Sequence, residues 1–230
     1  MNQHSTKINH FFLLQFPQIG LVVFLILLLI AAILYPGGTI LEEQLQVYSF
    51  SYNFLSDMGR TYAINGTVNF LSSSIFLLAL LIGALSIIGF YIEVQKLFTA
   101  SPSLRKLAQV GSVFGIMGCI ALIGVGFTPV NLYRDLDVDC ANWLFRLFFI
   151  ASLLYSIAIF RRKDLPNQLA IGYLVFSLFI ISYILLNALG PSPDESMTML
   201  AIKVIAQKSI LVCFVVAIYF QSRGLHKLIK

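Results

Sequence analysis

Three cationic side chains, Arg146, Lys203 and Lys208, stand inside long apolar runs of this 230-residue chain. A charge at the centre of a bilayer costs about 2.5–3.5 kcal/mol on insertion scales, so it persists where a counter-charge, a polar cavity or a ligand meets it. The counter-charges within reach along the chain are Asp57, Asp135, Asp137 and Asp139. Spacing orders these groups. Asp139, Asn142 and Arg146 fall at i, i+3 and i+7, one face of a helix that begins before Asp139. Lys203 and Gln207 share a face at i and i+4, whereas Lys208 is rotated about 140° from Lys203 and must answer to a different partner. Asn69 aligns with Ser73 in the same way, and Asn187 closes another run. With Asn53, Ser56, Asp57 and Arg60 from the longest loop, these residues describe a polar pocket at one end of a helical bundle. Its chemistry would be recognition, with cations meeting a phosphate and Asp57 orienting them. The competing reading makes them interhelical hydrogen bonds and ion pairs that only hold helices together, with Lys203 reaching toward the interface.

Several sharper chemistries lack their residues. A zinc hydrolase needs three His, Cys or carboxylate ligands, and a Ser-His-Asp triad needs a histidine beside the serine. The three histidines, His4, His10 and His226, all fall outside the apolar runs, which also removes haem ligation by paired helix histidines. No Gly-x-x-x-x-Gly-Lys segment is present to cradle phosphates. Cys119, Cys140 and Cys213 have no Cys-x-x-Cys spacing and read as structural thiols. No metal and no cofactor is expected.

The elements that must position these groups follow from composition. Hydrophobic residues make up 59% of the chain and charged residues 11%, against roughly 25% charged in soluble domains. The apolar residues come in blocks near the length that crosses about 30 Å of hydrocarbon. The expectation is an all-α bundle of six transmembrane helices in one domain, 1–230, with spans at about 18–35, 67–91, 107–127, 142–160, 169–189 and 197–221. A signal peptide is the rival reading of the first span, but the run is too long for one.

The loop 36–66, opened by Pro36-Gly37-Gly38, carries Tyr48, Phe50, Tyr52 and Phe54 among polar residues, which suits the headgroup level, a short strand, or a loop folded back onto the bundle. Ser192-Pro193-Asp194-Glu195 has the pattern of a capping box opening the sixth helix. Gly111 and Gly115 make a Gly-x-x-x-Gly pattern, read either as an oligomer interface, which would allow self-association, or as close packing within the bundle.

Charge sets the expected orientation. Lys7, Lys96, Arg105, Lys106, Arg161, Arg162, Lys163, Arg223, Lys227 and Lys230 fall in one set of alternating connections, against Arg60 and Arg134 in the other. The positive-inside rule then places both termini in the cytoplasm, in the cell membrane, with the 36–66 loop outside. The formal net charge of +5 therefore reports topology. Without a dense basic patch, nucleic acid is not an expected partner, and membrane lipids are.

Two stretches carry a family resemblance. One is Tyr48 to Asn69, YSFSYNFLSDMGRTYAINGTVN, and the other is Gly126 to Arg146, GFTPVNLYRDLDVDCANWLFR. With the six-span spacing they resemble the bacterial and archaeal membrane family called domain of unknown function 998. That family has a Ser-Asp-Leu-Gly-like element before its second helix and a Pro-x-Asp element after its third. The resemblance matches Asn53, Ser56, Asp57 and Gly59 to the first element, and Pro129 with Asn131 to the second. Asn131 stands where an aspartate is usual, and Asp137 or Asp139 where the family has a histidine. The resemblance implies topology and the position of a site, and no reaction.

The expected function is binding or processing of a membrane-associated ligand such as a lipid headgroup, by Asn53, Ser56, Asp57, Arg60, Asn69, Asp137, Asp139, Arg146, Lys203, Gln207 and Lys208. Three alternatives stay open. A lipid-processing enzyme would use Asp57 or Asp137 as acid or base and Ser56 as nucleophile. The others are a small transporter, against which stands the lack of an internal repeat, and a scaffold without ligand.

Overall fold

The computed structural model describes residues 8–99 and 101–229, and the side chains of these up to residue 225. His4, Lys7 and Lys230, and the side chains of His226 and Lys227, used above, lie outside it. The helices are α1 (Phe16–Leu34), α2 (Phe70–Val94), α3 (Pro102–Phe127), α4 (Arg134–Phe160), α5 (Asn167–Leu189) and α6 (Met197–Ile229). Among the described residues, six helices are long and apolar enough to cross a membrane, the first counted with the π-helical turn Phe11–Gln15 that leads into α1. Each helix packs on its neighbour in sequence, and α6 returns against α1 to close a ring.

Helix ends follow local chemistry. At the end of α1, Gly37 (φ 123°) and Gly38 (φ 86°) take backbone conformations that side-chain-bearing residues avoid, so the chain can turn sharply. Two helices begin earlier than apolar content alone predicts. The Ser101 hydroxyl accepts from the Leu104 N–H (3.2 Å) with Pro102 in the first turn, so α3 opens five residues before 107. The acidic stretch ending in Asp139, a connection by hydropathy and a helix start by the spacing of Asp139, Asn142 and Arg146, is helical from Arg134, with Asp135 and Asp137 in its first turn, where carboxylates suit the positive end of the helix. The capping-box expectation needs correction. The Ser192 N–H donates to Glu195 Oε1 (2.8 Å), but this closes a turn ahead of α6. The helix itself is capped by the Ser196 hydroxyl, which accepts from the Met199 N–H (3.2 Å).

The long loop contains no strand, only isolated bridges Thr39–Glu42 and Tyr62–Val68. It folds back onto the bundle through a 3-10 turn, Leu55–Gly59. At the opposite end, Tyr91, Tyr155 and Tyr173 are fully buried, and the last two rings stack at 5.6 Å. The Ser112 hydroxyl donates to the Tyr91 carbonyl (2.7 Å), so Tyr155 donates to Ser112 (2.6 Å). Gly111 lies against the Tyr155 ring and Gly115 against the Tyr91 ring. The small-residue pattern thus packs α3 against α2 and α4 inside the ring.

Candidate functional site

The loop segment from Asn53 to Arg60 is a plug, and its polar residues are what fold it. The Asp57 carboxylate, 3% exposed, accepts from the Phe54 N–H (2.9 Å), Asn53 Nδ2 (3.2 Å) and Arg60 Nε (2.9 Å). Asn53 also donates to the Gly38 carbonyl (2.8 Å) and accepts from the Ser49 N–H (2.9 Å). Asn69, at the start of α2, donates to the carbonyls of Met58 (3.0 Å) and Arg60 (2.8 Å). Its own Oδ1 is buried without a partner among the described residues. Buried polar groups need such partners, so each of these residues is committed to holding the plug in one shape.

Two adjacent residues of α6 pin the plug to the ring. Gln207 Oε1 accepts from the Leu55 N–H (3.0 Å). Lys208 Nζ donates to the carbonyls of Phe50 (2.7 Å) and Asn53 (2.6 Å). It also lies 5.2 Å from the centre of the Tyr48 ring and 4.9 Å from that of Phe50, a cation–π arrangement. Lys208 makes no ion pair among the described residues. Its charge is met by backbone oxygens and aromatic faces, where the sequence pointed to an aspartate.

A third anchor joins the plug's far edge to the α3–α4 connection. Asn131 Oδ1 accepts from the Thr61 N–H (3.0 Å) while its Nδ2 donates to the Thr61 hydroxyl (2.8 Å). The amide gives and accepts here, but because the Thr61 hydroxyl can itself donate, a carboxylate at this position would meet the same two groups. Nothing in the sequence marked this bridge. Tyr35 and Tyr48 support the plug from the loop, with rings edge to face at 5.8 Å. Burial, with the Asp57 charge second, pushes the Tyr35 phenol up to about 12 and raises Tyr48 further.

Beneath the plug is a chamber of about 120 Å³ to which all six helices contribute. Its walls are apolar, among them Phe24, Phe76, Val125, Ala141, Phe176 and Phe214. Ser56 and Gln207 are the polar residues in its lining. The Ser56 hydroxyl and the Gln207 Nε2 have no hydrogen-bond partner among the described residues.

Two ionisable side chains lie one helical turn beyond this lining, on its rim and not in it. Asp137 is one helical turn from Ala141 on the same face of α4, and is 4% exposed. Lys203 is one turn from Gln207 on the same face of α6, and is 5% exposed. Neither side chain has a hydrogen-bond or ion-pair partner among the described residues. Arg146 and Asp139, by contrast, are exposed on the outer surface of α4, with Arg146 over the exposed Trp143 ring at 5.6 Å. The structure therefore gathers Asn53, Ser56, Asp57, Arg60, Asn69, Gln207 and Lys208 in or at the plug, places Asp137 and Lys203 at the rim, and leaves Asp139 and Arg146 outside. Among the described residues, no group of three His, Cys, Asp or Glu side chains is placed to share a metal ion.

A closed ring of six apolar helices, stoppered at one end and hollow beneath the stopper, defines a multi-pass membrane protein of the helical-bundle class. No protein-family model matches the chain, and neither a curated protein nor a solved structure matches it.

Proposed function

We propose that the chamber binds the apolar tail of an amphipathic membrane molecule, a lipid, whose polar end rests against Ser56 and Gln207. The observation that carries this reading is the chamber itself: apolar walls drawn from all six helices, with unpartnered hydrogen-bond donors in the Ser56 and Gln207 side chains. Ligand sites have this construction, mostly apolar with a few placed polar groups. The three donors on Asp57 commit that carboxylate to the plug, which weighs against an enzyme that uses Asp57 as its base. The same arrangement is consistent with membership of the family called domain of unknown function 998, since Asn53, Asp57 and Gly59 of its first element would then be plug residues. Gly59 is required there because a Cβ would come within 2.9 Å of the Phe76 ring.

Filling the chamber tests the reading. Ala141→Phe should leave the helical fold intact and abolish retention of lipid by detergent-purified protein in native mass spectrometry. A variant that keeps the same lipid complement as wild type would overturn it.

The plug is proposed to face the outside of the cell membrane, with both termini cytoplasmic, a reading supported by the Lys and Arg bias. In a background without native cysteines, new cysteines at Gln44 and Ser192 should react with an impermeant reagent in intact cells. Those at Ser101 and Asn167 should be shielded, and labelling at Asn167 would reverse the orientation.

A further inference from the structure

The cations of this end are nearly all spent. Lys208 is held by the Phe50 and Asn53 carbonyls, Arg60 is paired with Asp57 at 2.9 Å, and Arg146 lies outside the ring. What remains on the chamber rim is one buried carboxyl group, Asp137, and one buried amine, Lys203, on α4 and α6. Asp137 lies within electrostatic reach of Asp57 and Arg60. Those two compensate each other, and Asp57 also faces Lys208 across the plug. Asp137 is left as an additional carboxylate with no group donating to it. Asp194, an exposed residue in the turn before α6 whose carboxylate accepts from the Ser192 hydroxyl, lies within electrostatic reach of Arg134 and Lys203. Each side chain, Asp137 and Lys203, is nine-tenths buried while its charged atoms still reach the surface, so both remain available to a ligand. An acid and a base, each one helical turn beyond the lining of one apolar chamber, are complementary to a ligand that carries both charges next to a hydrocarbon tail.

We propose that the rim recognises a zwitterionic headgroup bearing a primary amine, the chemistry of an aminophospholipid, with its ammonium donating to Asp137 and its phosphate accepting from Lys203. This rests on the lipid-binding reading of the chamber and specifies its ligand. The primary amine matters because a bare carboxylate only accepts hydrogen bonds, which an ammonium supplies and a quaternary amine cannot. The tail enters the chamber below, past Ser56 and Gln207, whose free donors stand at the level of the ester carbonyls.

The test uses melting of the full-length protein in detergent against dioctanoyl phosphatidylethanolamine, its N-acetylated form, dioctanoyl phosphatidylcholine and dioctanoyl phosphatidylglycerol. Ligand that binds the folded state raises the midpoint in proportion to the logarithm of its concentration over its dissociation constant. The ethanolamine lipid should bind wild type about tenfold more tightly than the choline lipid, the difference expected for one charge-assisted hydrogen-bonding site. Acetylation should abolish that advantage. Asp137→Asn should bring the ethanolamine and choline lipids within about twofold of each other, and Lys203→Gln should weaken both by about tenfold. Equal binding of the ethanolamine, acetylated and choline lipids by wild type would overturn the headgroup assignment while leaving the chamber reading in place. A preference that survives Asp137→Asn would overturn it as well. If no lipid shifts wild type at all, the chamber reading itself fails, and this one with it. Should Asp137→Asn not fold, the wild-type comparison of the amine with its acetylated form decides alone.

Discussion

Lys208→Met should destabilise the folded protein by about 3 kcal/mol and release the plug, because two charge-assisted hydrogen bonds vanish and leave carbonyl oxygens buried. The Asn53 oxygen keeps the Tyr48 hydroxyl at 3.2 Å, while the Phe50 oxygen retains no other partner among the described residues. The expected readout is a lower melting midpoint together with faster proteolysis within residues 36–66. Expression level is the wrong readout, since removing a charge eases insertion of α6 by about 2.5–3.5 kcal/mol and would mask the loss. Neutralising an aspartate should not rescue the variant. Asp57→Asn replaces an acceptor that serves three donors with a group that has one oxygen, so the double variant should be less stable than Lys208→Met alone. Rescue by Asp57→Asn would show that Lys208 is held by charge rather than by the Phe50 and Asn53 carbonyls.

Gly115→Ala should also destabilise, against the usual sign for a helix interior, where alanine is favoured over glycine by about 1 kcal/mol. The new Cβ would lie 2.7 Å from Tyr91 Cδ2 and closer still to Cε2 and Cζ. That ring is fully buried and wedged between Phe90 and Tyr155, at centroid distances of 5.8 and 5.9 Å, so it has no free direction in which to move. Overpacking of this kind costs about 1–3 kcal/mol net. Gly118→Ala, whose Cβ would sit 3.3 Å from the Phe148 ring, should cost less. Melting of the two variants beside wild type checks the order, and a Gly115 variant as stable as wild type would mean that α2 and α3 are less closely packed than described.

The apolar runs made the number and order of the helices legible, because a backbone crossing hydrocarbon must satisfy its own hydrogen bonds and does so as helix. The starts of α3 and α4 were not legible from hydropathy. Pro102, Arg105 and Lys106, or Arg134, Asp135 and Asp137, look like connection although each group is helical. Ser101-Pro102 did carry a capping signal that hydropathy hides. The site was half legible. Spacing on α6 set Lys208 apart from Lys203, and only Lys208 binds the plug among the described residues, but it also set Lys208 apart from Gln207, which binds the same plug. The partner of Lys208 could not be read, because a backbone carbonyl is the same at every residue.

On α4, the face through Asp139 and Arg146 was chosen for its polar spacing, whereas the ring turns Asp137 and Ala141 inward. A soluble helix announces its buried face by amphipathicity. A helix with hydrocarbon on one side and an apolar core on the other does not, so the direction of a polar stripe stayed ambiguous. The signal available was Ala141, a small residue among Leu144, Phe145 and Phe148, one turn from an acid.

The plug is tied to α6 by bonds that span 152, 155 and 158 residues of sequence. The other end of the ring is laced by Gln18 Nε2 donating to Ser222 and by the Ser222 hydroxyl donating to the Leu14 carbonyl, across 204 and 208 residues. The loop is therefore synthesised long before anything exists to dock it. A nascent chain carrying α1 to α5 has an open barrel stave missing between α5 and α1, a loop without its Lys208 and Gln207 moorings, and no enclosed hollow. The compartment needs α6 in that gap, so a chain truncated before α6 would hold most of the walls and none of the room.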